Sequence, residues 1–440
     1  MGFPTAVGAV PGTTSSPEPA VSRRYAWLVF ALSFGLLLSD YMSRQVLNAV
    51  FPLLKAQWLL TDAKLGSLSG VVALMVGVLT FPMSLLADRW GRVRSLVLAA
   101  TIWSLATIGC ALAANYGQLF LGRVFVGVGE AAYGSVGIAV VLSIFPVTLR
   151  ATLSGAFIAG GAFGSVLGVA LGGAIAQQAG WRWAFGVMGV FGLVLAGVYA
   201  FVVTEQRLRP VRSEAAEESR TPLRGHLPKL FSSVSVVCAY IGSGLQFAVC
   251  AALIAWLPSF FNRYYHMASA KAGATAGVFA LIIGIGMIGA GMLSDRLDRI
   301  APVRKWTVAV ACCLGSMALL IGAFRLPNGG PQLFLLALGS LLSAGTAGPA
   351  AAMVANLTPT AISATAFATL TLANSLLGLA PGPAVTGMLA DHVGLRSALA
   401  LVPLVSVPAT VAFLIGRRYF HLRLVVALQR DIASERLDLL

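Results

Sequence analysis

The sequence predicts an all-α polytopic membrane protein, with 12 transmembrane helices in two six-helix bundles around a central cavity. Three observations predict it. Of 440 residues, 58% are hydrophobic and only 10% are charged, with mean hydropathy +0.87; a soluble domain carries about 25% charged residues. The apolar residues fall in runs that reach the roughly 20 residues a membrane helix needs. The chain also repeats itself after six such runs. The 48 glycines and 20 prolines would break soluble helices, but close helix packing in lipid tolerates many of them.

The helices are expected near residues 26–50, 64–87, 95–113, 118–143, 151–177 and 182–203, then 234–258, 272–294, 303–324, 331–354, 362–390 and 396–416. Residues 1–22 are rich in Pro, Ser, Thr, Gly and Ala, with Glu18 the one charge, and read as a disordered tail. A signal peptide would need a basic start and a cleavable apolar core. The segment 204–230 mixes six Lys/Arg with four glutamates and reads as a charged linker between the halves 23–203 and 231–416. The tail 417–440 opens with Arg417-Arg418; an amphipathic helix on the membrane surface and a frayed tail both fit it.

The net charge of +15 would suggest nucleic acid in a soluble protein. Here its distribution matters more. With the N-terminus inside, cytoplasmic segments hold 21 Lys/Arg and the opposite face 7, while Arg44 and Arg123 lie inside helices. That bias predicts a multi-pass protein of the cell (inner) membrane with both termini cytoplasmic. The five cysteines sit in apolar runs without metal-type spacing, and all four histidines fall in loops or the tail. No metal, cofactor or enzymatic constellation is therefore expected. Gly284-Ile285-Gly286-Met287-Ile288-Gly289 matches a dinucleotide fingerprint, yet it lies in an apolar run with no preceding strand and reads as helix packing. There is no P-loop.

The repeat is visible in residues. Asp88-Arg89-Trp90-Gly91-Arg92 after helix 2 matches Asp295-Arg296-Leu297-Asp298-Arg299 after helix 8, and Gly180-Trp181-Arg182 matches Gly394-Leu395-Arg396. The offsets are 207 and 214 residues. A duplicated six-helix unit places a substrate near the bilayer midplane, between the halves. Asp88, Arg89, Gly91, Arg92, Asp295 and Arg296 are candidate gating residues, since a carboxylate beside basic side chains can form a cluster present in one conformation only. The plainer alternative is a basic cytoplasmic loop.

Ser84-Leu-Leu-Ala-Asp-Arg-Trp-Gly-Arg resembles the loop signature of the major facilitator superfamily, with Ser84 in place of its opening glycine. Arg123-x3-Gly127-x-Gly129 resembles that superfamily's helix-4 motif. Gly155-x8-Gly164-x3-Gly168-Val169-x2-Gly172-Gly173 resembles its antiporter motif, with Val169 where a proline belongs; a glycine groove for helix packing is favoured instead. Gly127-Val-Gly-Glu-Ala-Ala-Tyr133, Asp40-Tyr-Met-Ser-Arg44 and Trp256-Leu-Pro258 are similar to segments of spinster-like transporters and their bacterial relatives, over roughly residues 24–416. In that pattern Ser43 stands where an acid is usual and Asp40 where asparagine is usual.

Charges inside the membrane carry the sharpest signal. One at a helix centre costs about 2.5–3.5 kcal/mol on insertion scales. Asp40, Arg44, Arg123 and Glu130 must therefore pair or face water. Asp40 and Arg44 share one helix face, and Arg123 and Glu130 share another. The resemblance implies that helices 1 and 4 line the cavity, where the four groups are expected to converge. Asp40 and Glu130 are candidate proton-coupling residues. Arg44, Arg123, Tyr41, Tyr133, Gln246, Trp256 and Asn374 are candidates to bind substrate or tune the acids. A static salt-bridge network is the structural alternative for the charges, and interhelical hydrogen bonding for Gln246 and Asn374.

The expected function is a monomeric secondary active transporter. It would move a small organic solute, anionic or amphiphilic, by proton-coupled alternating access. Its partners would be that solute, protons and the bilayer. A drug/proton efflux antiporter and a non-transporting sensor or scaffold are the alternatives.

Overall fold

The computed structural model describes residues 22–145, 147–204, 233–298, 300, 301, 303–358 and 363–421. Most of the expected tails and linker lies outside them. Among the described residues every regular element is helical: α1 (Arg23–Trp58), α2 (Asp62–Trp90), α3 (Arg92–Leu112), α4 (Tyr116–Ile144), α5 (Val147–Ala179), α6 (Trp181–Val202), α7 (Val234–Tyr265), α8 (Ser269–Asp298) and α9 (Arg304–Arg325). The tenth span, α10, is built of Gly330–Ser343 and Ala347–Leu357; α11 of Ser363–Asn374, a π turn at Ser375–Leu379, and Pro381–Val393. The twelfth, α12, runs Leu395–His421 with a 3-10 turn at Val402–Val405. By length and composition, eleven of these spans could cross a membrane. The interrupted α11 is the remaining one of the twelve.

Successive helices alternate in direction. One face of the molecule, called near below, carries the first residues of α1 and the last of α12; the other is the far face. Helix starts follow local chemistry. Asn115 Oδ1 accepts from the Gln118 main-chain N–H while Gln118 Oε1 accepts from Ala114, a reciprocal cap that opens α4. Pro331 in the first turn of α10 costs no hydrogen bond there. Gly180 and Gly394, the repeated pair, take φ +91° and +79° between α5 and α6 and between α11 and α12. The duplication is thus one of backbone conformation too, at a φ that side-chain-bearing residues avoid.

Two expected continuous helices are interrupted. In α10 the break falls at Ala344, Gly345 and Thr346, where glycine and a β-branched residue weaken the helix. In α11 Pro381 lacks an N–H and its ring crowds the preceding turn. The chain widens, and Ala380 N–H reaches back five residues to Ser375 O at 2.9 Å.

Packing within the first bundle rests on the α5 glycines. A Cβ at Gly164, Gly168 or Gly172 would stand 2.8 Å from Tyr41 Cβ, Met42 Cα or Val46 Cγ2 of α1. Main chains meet where no side chain intervenes. Gly173 instead faces Ser269 and Ala270 of α8, across the bundle boundary. Gly155 corrects the expectation of a packing role: it is exposed, with nothing within 4 Å of a would-be Cβ. Gly286, from the misleading dinucleotide pattern, lies hard against the Leu341 carbonyl of α10. It is a packing glycine.

Candidate functional site

Two intramembrane residues pair across α1 and α4. Arg44 donates through Nε at 2.8 Å and Nη2 at 2.5 Å, both to Oε2 of Glu130. The Glu130 side chain is fully buried and Arg44 keeps 21% of its side chain accessible. The other Glu130 oxygen, Oε1, is buried with no hydrogen-bond partner among the described residues. One turn before Arg44 on α1, Asp40 is buried, and its Oδ1 is likewise unpartnered. Asp40 lies close enough to Glu130 and Arg44 for their charges to act on it. The Arg44 guanidinium also sits 5.7 Å from the centroid of the half-buried Tyr41 ring. The whole arginine fork thus goes to Glu130, with Asp40 one turn away, and each carboxylate has one buried oxygen without a partner among the described residues.

Arg123 corrects the expected quartet. Among the described residues its guanidinium binds no carboxylate but donates to main-chain carbonyls of Leu68 at 3.4 Å, Ser43 at 3.0 Å and Arg44 at 3.1 Å. A carbonyl has two lone pairs, so one inside a helix can accept a second donor. Arg123 is wholly buried and fastens α4 to α1 and α2. Ser43, where the resemblance led one to expect an acid, is buried; its carbonyl serves Arg123 and its hydroxyl has no partner.

Three further expected substrate contacts are committed to the protein. Tyr133 is buried, donates to the Ser33 carbonyl and packs edge-on to Trp103. Gln246 of α7 is fully buried. It donates to Ser316 Oγ at 2.9 Å and the Ser343 carbonyl at 3.2 Å, and accepts from Ser406 Oγ at 2.8 Å. It ties α7 to α9, α10 and α12. Trp256 is buried near the far face, donates Nε1–H to the Pro383 carbonyl and lies 5.1 Å from the Phe51 ring of α1, tilted to it by 52°. Asn374 differs: partly exposed, with Oδ1 buried and unpartnered, it stands directly before the π turn. It is the one candidate from the second half with spare hydrogen-bonding capacity.

The candidate gating segments divide. The Asp88 side chain falls outside the described residues. Arg89 is exposed, Arg92 half-buried, and Gly91 takes φ +99° between α2 and α3. In the second copy Asp295 and Arg296 are exposed. The ion pair is made instead by Asp298, whose carboxylate lies 3.0 Å from the buried Lys305 ammonium of α9. Asn356 of α10 donates to the same acid. Sequence reasoning missed this pair because Lys305 counted only as loop charge.

It also missed the far face. There Asp62, at the start of α2, receives Lys55 Nζ at 2.7 Å and Arg263 Nη2 at 2.6 Å. Asp391 of α11 accepts main-chain N–H bonds from Asp62 at 2.7 Å and Ala63 at 2.9 Å. Among the described residues no group of three or more His, Cys, Asp or Glu side chains could hold a metal ion.

Residues 32–378 match the sequence model of the Major Facilitator Superfamily. The chain is 28% identical over 288 residues to the "Probable 4-methylmuconolactone transporter" of Cupriavidus pinatubonensis, covering 62% of this chain and 65% of that protein. It thus spans about two thirds of that relative's length. To "Protein spinster homolog 1" of Bos taurus it is 27% identical over 415 residues, covering 87% of this chain and 78% of the other. The fold superposes with a TM-score of 0.81 on a bacterial homologue of the human lysosomal transporter Spinster, crystallised in an inward-facing, unoccupied conformation. Identity there is 20%, with 91% of this chain and 98% of that chain covered.

Proposed function

This chain belongs to the Major Facilitator Superfamily, and from that premise we propose that it is a secondary active transporter working by alternating access. It moves a small organic solute, anionic or amphiphilic, across the cell (inner) membrane. Both termini lie on the cytoplasmic side, the halves 23–203 and 231–416 are the moving bodies, and the protein acts as a monomer. The near face is then cytoplasmic. Transport is coupled to protons at Glu130 and Asp40.

The observation that carries this reading is the single Arg44 fork on Glu130 Oε2, beside two buried carboxylate oxygens without partners. An ionised Glu130 occupies the guanidinium. A protonated one is a poorer acceptor, and Arg44, partly accessible, can then turn to the carboxylate of a substrate. Proton and anion thereby favour the same state. With Asp40, Glu130, Arg44 and Arg123 all ionised the group is neutral, so each added proton leaves it cationic. Asn374 offers a neutral hydrogen-bonding contact from the opposite half. Of the α5 glycines, Gly164, Gly168 and Gly172 are spent on packing against α1 and Gly173 against α8, which lends the efflux-antiporter alternative no support.

The test is a panel of organic acids in proteoliposomes under an imposed pH gradient, comparing wild type with Glu130→Gln and Asp40→Asn. Gradient-driven flux of at least one acid is expected in wild type and its loss in the variants. Full flux in both variants would remove the proton site. Binding without flux would favour a sensor.

A further inference from the structure

The two bundles meet most extensively along two seams, α2 with α11 and α5 with α8, besides the contact of α1 with α7 at Phe51 and Trp256, and the duplication relates one seam to the other. At the 207-residue offset Gly66 and Gly70 of α2 correspond to Gly273 and Gly277 of α8; at the 214-residue offset Val166, Val169 and Gly173 of α5 correspond to Ala380, Pro383 and Gly387. The contacts obey the same correspondence. Gly66 faces the Pro383 carbonyl and Gly273 the Val169 carbonyl; Gly70 faces Ala380 and Gly277 faces Val166; Gly387 faces Asp62 and Gly173 faces its counterpart Ser269.

At the far face each seam ends in a helix cap supplied by the other bundle. Gln177, at the end of α5, accepts from the Ala270 N–H of α8 at 3.0 Å. Asp391, its counterpart at offset 214, accepts from Ala63 and Asp62 of α2; Ala63 is in turn the counterpart of Ala270 at offset 207. The first turn of a helix has N–H groups without internal partners, so a side-chain oxygen there is stabilising, and a carboxylate more so. Of the two capping side chains only Asp391 carries a charge. There Asp62 also takes Arg263 from α7, across the boundary, and Lys55 from its own bundle. Asp62 is nearly inaccessible, whereas Lys55 keeps 38% of its side chain exposed.

We infer that the reciprocal caps Asp391-on-α2 and Gln177-on-α8, with the Asp62–Arg263 pair, form a latch that holds the far face shut and sets how often it opens. The latch is lopsided. When the bundles part, Asp391 and Arg263 leave while Lys55 stays on Asp62, so the charged seam supplies most of the resistance. Resealing restores the same contacts, because the acceptors remain poised on the ends of α5 and α11. The inference rests on the bundles parting at the far face, as alternating access requires.

Val169→Cys provides the reporter, since Val169 is buried at the seam opposite Gly273. Its alkylation by an impermeant maleimide added at the far face, followed by mass spectrometry of the full-length protein in vesicles, tracks the open population. Asp391→Ala and Arg263→Gln are each expected to speed labelling roughly 2- to 30-fold, the span that losing a helix cap allows. Asp391→Asn should give a smaller rise, because its amide oxygen still caps. Gln177→Ala should speed labelling with little dependence on salt, and Lys55→Ala should change it little. Wild-type labelling rates in folded Asp391→Ala and Arg263→Gln would overturn the latch. So would a Lys55→Ala effect as large as that of Arg263→Gln. Labelling reports the latch whether or not any solute is carried, so its failure and a failure of flux are separate results.

Discussion

Arg123 holds the main chain of Arg44, its Nη2 donating to the Arg44 carbonyl at 3.1 Å. One buried arginine thereby fixes the stretch of α1 from which another reaches Glu130. The two differ in their partners: Arg123 holds main-chain carbonyls, whereas Arg44 holds a carboxylate and is the exchangeable partner in the proposed cycle.

Arg123→Lys is expected to cost about 1.5–3 kcal/mol, because one ammonium cannot reproduce a fork that serves three carbonyls. Thermal unfolding of the purified variant in detergent checks this. A variant that melts like wild type while losing flux would move Arg123 into the coupling chemistry.

Glu130→Ala strips Arg44 of its acceptor. With Arg44 partly accessible, the expected loss is about 1–3 kcal/mol, below that of a fully buried orphan charge. Glu130→Gln keeps an acceptor oxygen and should lose less. The double variant Glu130→Ala with Arg44→Leu is expected to recover part of that stability, since no guanidinium is then stranded. Adding Asp40→Asn should recover more, by removing the buried carboxylate that Arg44 no longer faces. Failure of the second change to rescue melting would show that the pair is not the main stabilising contact there.

Gly168→Val should destabilise by about 1–3 kcal/mol, because a side chain is forced into the Met42 main chain. Gly155→Ala should do the reverse and add about 0.5–1 kcal/mol, since it fills open space inside a helix. Both are read as melting shifts. Equal losses at the two positions would contradict the packing found for α5.

Gln246→Leu removes two donors and an acceptor from a buried cluster, leaving Ser316, Ser406 and the Ser343 carbonyl short of partners. A loss of about 1–3 kcal/mol is expected, with KM for any transported solute unchanged. A shift in KM without a shift in melting would return Gln246 to the substrate path.

The membrane spans, their duplication and the intramembrane charges were legible because each leaves a local trace: apolar run length, recurring residues, a charge where charge is costly. Partner choice left none. Arg123 binds carbonyls, and every residue has one, so no residue type marks its acceptors. Gln246 and Trp256 could equally have faced a cavity or a neighbouring helix until tertiary packing decided. Asp62 and Arg263 are 201 residues apart, and Asp391 lies 329 from the helix start it caps. Each sits at a helix end, where a charge reads as ordinary solvated surface. The repeat held the clue to their correspondence, but only paired coordinates identify what meets what.

Because Gly66, Gly70, Gly273 and Gly277 bring naked peptide planes together, the α2–α11 and α5–α8 seams are smooth bearings, and interlocking side chains are gathered between them, where Phe51 meets Trp256. Rocking on such bearings demands no wholesale reshuffling of rotamers. Along those two seams the proposed motion would meet resistance chiefly at the polar clasps of the rim, leaving it quick to tune by substitutions there and costly to disturb by a stray methyl group along the track.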